Sequence, residues 1–390
     1  MAVERVDVVV VGLGAMGAAT LFQLAKAGSQ VVGIDQYAPP HMQGSSHGDT
    51  RITRLAIGEG AAYIPLVRRS HQIWRELEAQ QKTELFEQCG VLIMSSGAGA
   101  PALHGISDFT AHTIELAREN NIDHDVLSAS QIRARFPQFG SVPDDTIGYF
   151  EPEGGYLRPE RCIAAQLDGA RALGASLLAN STVRSIQSEG ATVRVKTDTR
   201  EFVADKVVVC AGMWSAALLG DPFTGLLKVC RQNLYWYQLE SPSIFPQPSP
   251  SFIYTHGPLD TDVSYGFPPI PGEDSIKIGT EQYAALGSID ALDRNISQAE
   301  SDAMFRHHVA NRMNGVTPHL VKASVCTYTV TPDQNFIIDA HPLQPNVVVV
   351  SACSGHGFKH SAAIGEAVAQ RCLYGRSDID LSAFALSRFG

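Results

Sequence analysis

Apolar and polar positions along the chain follow two different periods. Residues 6–11 form a valine-rich run with the continuity expected of a strand buried on both faces of a parallel sheet. Residues 14–27 then place Leu21, Leu24 and Ala25 on one helical face, with Gly28 as the stop. A short strand follows at 31–34 and ends in Asp35. The periodicity then lapses, because residues 44–54 are polar and rich in Gly, Ser, His and Arg. Helical spacing returns over 63–80 through Leu66, Ile73, Trp74 and Leu77, and residues 90–94 read as a strand. Residues 101–137 read as mainly helical, and a turn at 154–159 opens a helix to about residue 173.

Two alternating segments near 182–186 and 193–197 precede a buried strand over 202–212 that ends in small residues. Such a strand belongs back in the first sheet, so that domain is discontinuous in sequence. Between 233 and 280 the apolar positions alternate again, through Leu234-Tyr235-Trp236-Tyr237, Phe252-Ile253-Tyr254 and Tyr265-Gly266-Phe267. Prolines are concentrated here, but a proline-rich linker would lack these strands; an antiparallel sheet with stiff connections is expected. Residues 288–314 read as helical. A strand at 346–351, a glycine-rich turn at 354–359 and a helix at 361–373 return to α/β character. The predicted fold is therefore α/β, with a discontinuous Rossmann-type nucleotide-binding domain and a substrate domain containing a mixed or antiparallel sheet. The first is assigned residues 1–85, 154–218 and 320–390, and the second 86–153 and 219–319.

The length of 390 residues supports two domains, since one core seldom serves so long a chain. A hydrophobic share of 44% with 18% charged residues excludes a disordered or coiled-coil chain. Thirty basic against 40 acidic residues give a net charge of −10, which disfavours nucleic acid and anionic membranes as partners. No apolar run approaches the roughly 18 residues needed to span a bilayer, and the first one breaks into glycines where a signal peptide would continue. Seven scattered cysteines without a C-x-x-C pair fit a reducing compartment, so a cytoplasmic location is expected.

Candidate chemistry begins at Gly12-Leu13-Gly14-Ala15-Met16-Gly17, a G-x-G-x-x-G pattern between strand and helix. Gly12 permits a tight turn, Gly14 lets the backbone approach a pyrophosphate at the helix N-terminus, and Gly17 allows close helix–strand packing. Asp35 sits where a carboxylate accepts ribose hydroxyls, which disfavours a 2′-phosphate but leaves NAD and FAD open. An NAD domain would continue into another β-α repeat, whereas here the polar segment 44–54 intervenes. It is either a loop lying along an extended cofactor, with Arg51 and Arg54 pointing into a site, or a solvated surface loop. Gly355 and Gly357 mark a second strand–glycine–helix unit, able to aim backbone N–H groups and a helix N-terminus at an electron-rich ring. A generic tight turn is the alternative. His356 and His360 lie four apart, but no carboxylate or thiolate motif accompanies them and no metal site is expected.

Taken together, Gly44-Ser45-Ser46-His47-Gly48-Asp49-Thr50-Arg51, Arg54, Tyr265-Gly266-Phe267-Pro268, Lys277-Ile278-Gly279, Cys326-Thr327-Tyr328 and Ser354-Gly355-His356-Gly357-Phe358-Lys359 resemble the monomeric sarcosine oxidase and N-methyltryptophan oxidase family. The match runs in order from residue 6 to residue 389. The resemblance implies a monomeric, two-domain FAD enzyme of the glycine/D-amino-acid-oxidase type. Such an enzyme oxidises the C–N bond of a secondary amine bearing a carboxylate and reduces O2 to H2O2. The imine product hydrolyses, so an N-methyl amino acid releases formaldehyde.

By the same resemblance, Cys326 stands where the family joins a thiol to the flavin 8α-methyl. Arg54 and Lys359 match the pair that holds the substrate carboxylate. Lys277 matches the lysine over the flavin face where oxygen reacts, where a cation stabilises developing superoxide. Arg51 and His47 fall near the flavin, Tyr265 and Tyr328 line the substrate cavity, and Ser45, Thr50, Gly355, Gly357 and Phe358 join the cofactor site. One position departs from the pattern: Glu281 stands four residues after Lys277, where the family often has histidine. Residues 267–277 also run one residue longer than in the sarcosine enzymes. The expectation is a substrate with a larger or more polar side chain than sarcosine, although a one-residue slip would instead turn Glu281 to solvent. The competing functions are a flavin dehydrogenase with another acceptor, an NAD-dependent dehydrogenase, and a flavoprotein with a scaffolding role.

Overall fold

A parallel sheet forms where the valine-rich segments meet in the computed structural model, which describes residues 3–97 and 103–390. The strand Val3–Val11 lies between Val31–Ile34 and Glu201–Val209 and runs parallel to both. Val9 and Val10 have no exposed surface, as a strand covered on both faces requires. Ser176–Leu178 extends the sheet beyond Val31–Ile34. On the other side, Glu201–Val209 divides its edge between two partners. Its first half pairs with Thr192–Thr197, which forms a hairpin with Val183–Glu189. Its second half pairs with Gln344–Ser351, which brings Ile337–His341 alongside. The carboxy-terminal segment thus enters the sheet begun at residue 3.

The helices Ala15–Lys26, Pro159–Ala172 and Ser361–Tyr374 pack together beside this sheet. A Cβ on Gly365 would lie 2.5 Å from the backbone of Ala19, so glycine is what lets two of these helices approach so closely.

The second sheet orders its strands Val316–Val330, Lys228–Leu239, Ser275–Gly279, Val263–Phe267, Ser251–Thr255, Val91–Ser95, Ile147–Glu151 and Asp125–Ser128. All pairs are antiparallel except Ser251–Thr255 with Val91–Ser95, so the sheet is mixed. Three short strands, Arg51–Thr53, Gly155–Leu157 and Phe86–Glu87, make a small third sheet.

Several boundaries differ from those expected. Val316–Val330 pairs along its length with Lys228–Leu239, so the domain boundary expected at residue 320 falls inside a strand of the second sheet. The region read as helical over 101–137 contains the helix Phe109–Glu119, then the strand Asp125–Ser128, then the helix Ala129–Arg135; residues 101 and 102 lie outside the described residues. Within 288–314 the α-helix covers only Gln298–Met304, followed by a π-turn at Phe305–Val309. Capping boxes decide both late starts. Ser128 with Gln131 and Ser297 with Glu300 reciprocally satisfy the first free N–H groups, a local signal that periodicity alone overlooks. The polar loop after residue 44 ends in a strand because Arg51–Thr53 finds a partner in Gly155–Leu157, about a hundred residues away.

Candidate active site

The site begins with backbone. Gly12 adopts φ +86°, and a Cβ there would lie 2.6 Å from the Cys210 carbonyl oxygen. A Cβ on Gly17 would lie 1.7 Å from the Gly12 oxygen, so both positions need glycine for packing. Gly14 is different: the nearest atom to a Cβ there is Ser46 Oγ at 3.6 Å. It caps the helix Ala15–Lys26, which has no acid in its first turn and no side-chain cap from Gly14. The Ala15 N–H reaches Ser46 Oγ at 3.3 Å. This helix end therefore offers donors and positive potential beside open space. Asp35 is buried, accepting the Leu13 N–H at 2.7 Å and the Tyr37 N–H at 2.8 Å, with His41 Nε2 at 3.3 Å.

One continuous cavity, about 2160 Å³ including its opening to solvent, runs from Gly12, Gly14 and Asp35 past Ser45, Arg51 and Cys326. It continues to Tyr265, Tyr328, Gly355, Gly357, Phe358 and then Arg54, Lys359 and Glu281. The chain therefore gathers most of the residues singled out by sequence around one space. Gly17, His47, Thr50 and Lys277 stand behind its wall.

Lys277 Nζ is buried and donates to the carbonyl oxygens of Gly48 and Thr50, each at 2.7 Å. Burial and then the neighbouring Arg51 hold its pKa well below the ordinary lysine value. Burial, with Arg51 and Lys277 beside it, pushes His47 down to about 3, so its ring is neutral. Among the described residues neither of its nitrogens meets a partner at full hydrogen-bond geometry, the Gly44 backbone lying nearest in effect. Arg51 is fixed by donating to the Thr50 and Ser45 carbonyls at 2.8 and 2.7 Å. Cys326 is 1% exposed, and burial raises its thiol pKa while Arg51 and Lys277 work in the opposite direction.

The glycine-rich turn after Gln344–Ser351 also owes its shape to close approach. A Cβ on Gly355 would lie 2.9 Å from the Tyr328 ring, and one on Gly357 would lie 1.8 Å from the Ala352 oxygen. The turn leads into the 3-10 segment Phe358–His360, which runs without a break into the helix Ser361–Tyr374, so the start of this helical path presents Gly357, Phe358 and Lys359 to the cavity, while the Ala363 N–H is taken by Ser70 Oγ at 3.0 Å. His356 and His360 pack with Tyr63 and Phe336 as part of an aromatic cluster.

At the far end the structure brings together charges that sequence reading only half found. Arg54 is buried and donates to Glu59 Oε2 at 2.8 Å and to the Ala56 carbonyl at 3.0 Å. Lys359 Nζ reaches the other oxygen of Glu59 at 3.2 Å and the His356 carbonyl at 2.7 Å. Burial pushes Lys359 down to about 8, with Glu59 opposing and Arg54 reinforcing that shift. Burial alone would raise the Glu59 carboxyl, but Arg54 and Lys359 hold it well below the usual carboxylate range. Beneath them Glu151, fully buried, accepts the Ala56 N–H at 3.0 Å and the Tyr149 hydroxyl at 2.7 Å, which fixes the segment carrying Arg54.

Glu281 is mostly enclosed in this wall rather than turned to solvent, its side chain 14% exposed. It pairs with His104 at 3.3 Å and accepts the Tyr283 hydroxyl at 2.9 Å. Burial opposes charge on both partners, yet each favours the other's charged form, lowering Glu281 and raising His104. Glu59, Glu151 and His104 were not found from sequence. Glu59 stands between two glycines in a short turn and His104 in a segment without periodicity, so neither carries a local pattern.

A backbone cradle at one end of the cavity and a charged pocket at the other suit a long dinucleotide reaching from the first sheet toward the second, as in flavin-dependent oxidoreductases. The chain belongs to the FAD dependent oxidoreductase family, which it matches over residues 7–371. It is 35% identical over 385 residues to the monomeric sarcosine oxidase of Bacillus sp. (strain B-0618), covering 98% of this chain and 96% of that one. It is 36% identical over 385 residues to the N-methyl-L-tryptophan oxidase of Yersinia pestis (strain Pestoides F), covering 98% and 99%. Among solved structures, NikD, an unusual amino acid oxidase essential for nikkomycin biosynthesis, superposes with a TM-score of 0.84 at 25% identity, covering 98% of this chain and 97% of that one. The family resemblance read from the motifs is borne out, and the cofactor is FAD.

The residues present fit that group. Gly14 leaves room at a helix N-terminus, and Thr329 Oγ1 and Ser351 Oγ are buried without a protein partner in residues lining the same cavity. Among the described residues, no helix is long and apolar enough to cross a membrane.

Proposed function

We propose that the chain is an oxidase of secondary amines carrying a carboxylate, N-methyl or N-alkyl amino acids in particular, with O2 as electron acceptor. The observation that carries this reading is the buried Arg54–Glu59–Lys359 arrangement in the cavity wall. Two cations converge on one carboxylate of the chain itself, and a substrate carboxylate has the same chemistry and takes the place of Glu59 between them. When bound, FAD supplies the acceptor for the two electrons of C–N oxidation and passes them to O2, giving H2O2. The secondary amine becomes an imine, which water converts to an aldehyde and an amine.

The remaining residues have distinct tasks. Arg54 and Lys359 orient the substrate by its acid end, and Tyr265 and Tyr328 supply aromatic walls. Lys277, held by two carbonyls behind the wall, stands beside the loop that carries Arg51, and we assign it the role at the oxygen-reacting face that the family resemblance implies. Cys326 forms the covalent link to FAD, an assignment supported by its burial in the wall and by the two cations that favour its thiolate. The His104–Glu281 pair favours substrates whose side chain exchanges hydrogen bonds with it, which argues for an amine larger or more polar than sarcosine. The seven cysteines form no disulfide, which supports a reducing, cytoplasmic setting, and we read the enzyme as a monomer.

Anaerobic bleaching of the flavin tests this function against a panel of sarcosine, N-methyl amino acids, pipecolate, proline, glycated amino acids and the corresponding amines without a carboxylate. Only acids with a secondary amine should bleach it quickly. Equal rates for amines lacking the carboxylate would overturn the reading. An H2O2 assay under air separates an oxidase from a dehydrogenase. Acid precipitation reports the link: the yellow colour should stay with the wild-type chain and leave the Cys326→Ser chain.

A further inference from the structure

The turn from His256 to Asp262 joins the strands Ser251–Thr255 and Val263–Phe267, whose Ile253, Val263, Tyr265 and Phe267 line the cavity. The helix Gln298–Met304 widens into the π-turn Phe305–Val309, which brings His307 and His308 against this hairpin turn. Such a widened turn inserts an extra residue into the helical path and recurs at functional positions. Here it gathers three imidazoles. His256, His307 and His308 each present a ring nitrogen within 4.8 Å of the others, and His256 Nε2 lies 3.0 Å from His308 Nδ1.

A further observation points to a ligand rather than a mere histidine cluster. Asp262 is buried at the end of the turn, where it accepts the Leu259 N–H at 3.0 Å and holds His307 Nε2 at 2.8 Å. A carboxylate on one imidazole nitrogen fixes the ring and makes the other nitrogen a better donor to a metal.

We propose that His256, His307 and His308 bind a divalent transition metal of the zinc class, with Asp262 orienting His307 and water completing the coordination. Three imidazoles suit Zn2+, Co2+, Ni2+ or Cu2+ and do not suit Mg2+ or Ca2+, which prefer oxygen. His307 is half-exposed and gives the ion its entry. Arg312 faces the cluster and opposes a second cation, while Asp262 offsets it. The ion staples the hairpin to the π-turn and so braces a wall of the cavity, without taking part in flavin chemistry.

The test uses untagged, FAD-loaded protein, stripped with a chelator and dialysed, then titrated with Zn2+ in a calorimeter. One ion per chain should bind with a Kd of about 1 µM or tighter. Tm should rise by about 3 °C at a hundredfold excess over Kd. Co2+ should give ligand-field bands to the red of the flavin absorption. His307→Ala is the main variant, because a half-exposed ring can be removed with the flavin content unchanged; it should weaken Zn2+ binding at least about 100-fold and abolish the Co2+ bands. Asp262→Asn should weaken binding by about 10- to 100-fold. Absence of stoichiometric uptake by the wild-type protein, or unchanged affinity in His307→Ala, would overturn the site.

Discussion

The two ends of the cavity are built by opposite means. At the Gly12–Gly17 end the surface is backbone, shaped by glycines and a helix N-terminus. At the Arg54–Lys359 end it is charged side chains drawn from segments some 300 residues apart, each held by another charge. The backbone end has little freedom, since its shape follows from main-chain sterics. The side-chain end depends on which charges are present, and its ligand-free form is already satisfied by Glu59. Substitutions should therefore act mainly on folding and cofactor retention at the first end, and on affinity and its pH dependence at the second.

The largest effect is expected at Gly17. A Cβ 1.7 Å from the Gly12 oxygen meets backbone that cannot move aside, so Gly17→Val should give protein that retains no flavin and is largely insoluble. Gly14→Ala divides the two roles of the motif. With nothing nearer than 3.6 Å, its Tm without flavin should stay within a few degrees of the parent, while FAD uptake drops by at least about tenfold. Measured flavin content and thermal unfolding separate the outcomes; equal flavin uptake by Gly14→Ala and the parent would show that the pyrophosphate lies elsewhere.

This contrast also explains what could be read from sequence. Gly12, Gly14, Gly17 and Asp35 lie within one βαβ unit, so spacing alone exposes their roles. Arg54, Lys359, Lys277 and Cys326 carry no such local geometry, and only the family resemblance drew attention to them. Glu59, Glu151 and His104 escaped both routes, because a buried counter-ion is defined by the charge it faces and not by its neighbours in the chain. The fold shows the same division. The parallel core follows from valine runs, whereas Asp125–Ser128 became a strand only through pairing with Ile147–Glu151. The expected boundary at 320 falls inside the strand Val316–Val330, because a strand's sheet is chosen by its partner, which sequence periodicity does not name.

At the side-chain end, Lys359→Met should weaken binding of a carboxylate analogue lacking an amine by about 10- to 100-fold, the value of one charge-assisted contact. Titration of the flavin spectrum measures it, and an unchanged Kd would remove Lys359 from the clamp. Glu59→Gln should act in the opposite direction. Freed of their internal anion, Arg54 and Lys359 attract the analogue more strongly, by up to about tenfold, while Tm falls because two buried cations lose a partner. A loss of affinity in Glu59→Gln would mean that Glu59 positions the cations and is not displaced.

The smallest effect is a pH dependence, and its sign follows from Lys359. Burial pushes this lysine down to about 8, so the free enzyme carries the full positive clamp below that pH and loses half of it as pH rises through 8. The analogue remains an anion throughout, so its Kd should rise above pH 8 and level off when only Arg54 remains. The plateau should equal the Kd of Lys359→Met, which itself should show no change near pH 8. Substrate oxidation rates cannot isolate this step, because the amine also loses its proton as pH rises and so favours turnover. Binding of an amine-free carboxylate removes that opposing trend. If Lys359→Met keeps the inflection near pH 8, the titrating group is another one, and the affinity of the clamp is set by Arg54 alone.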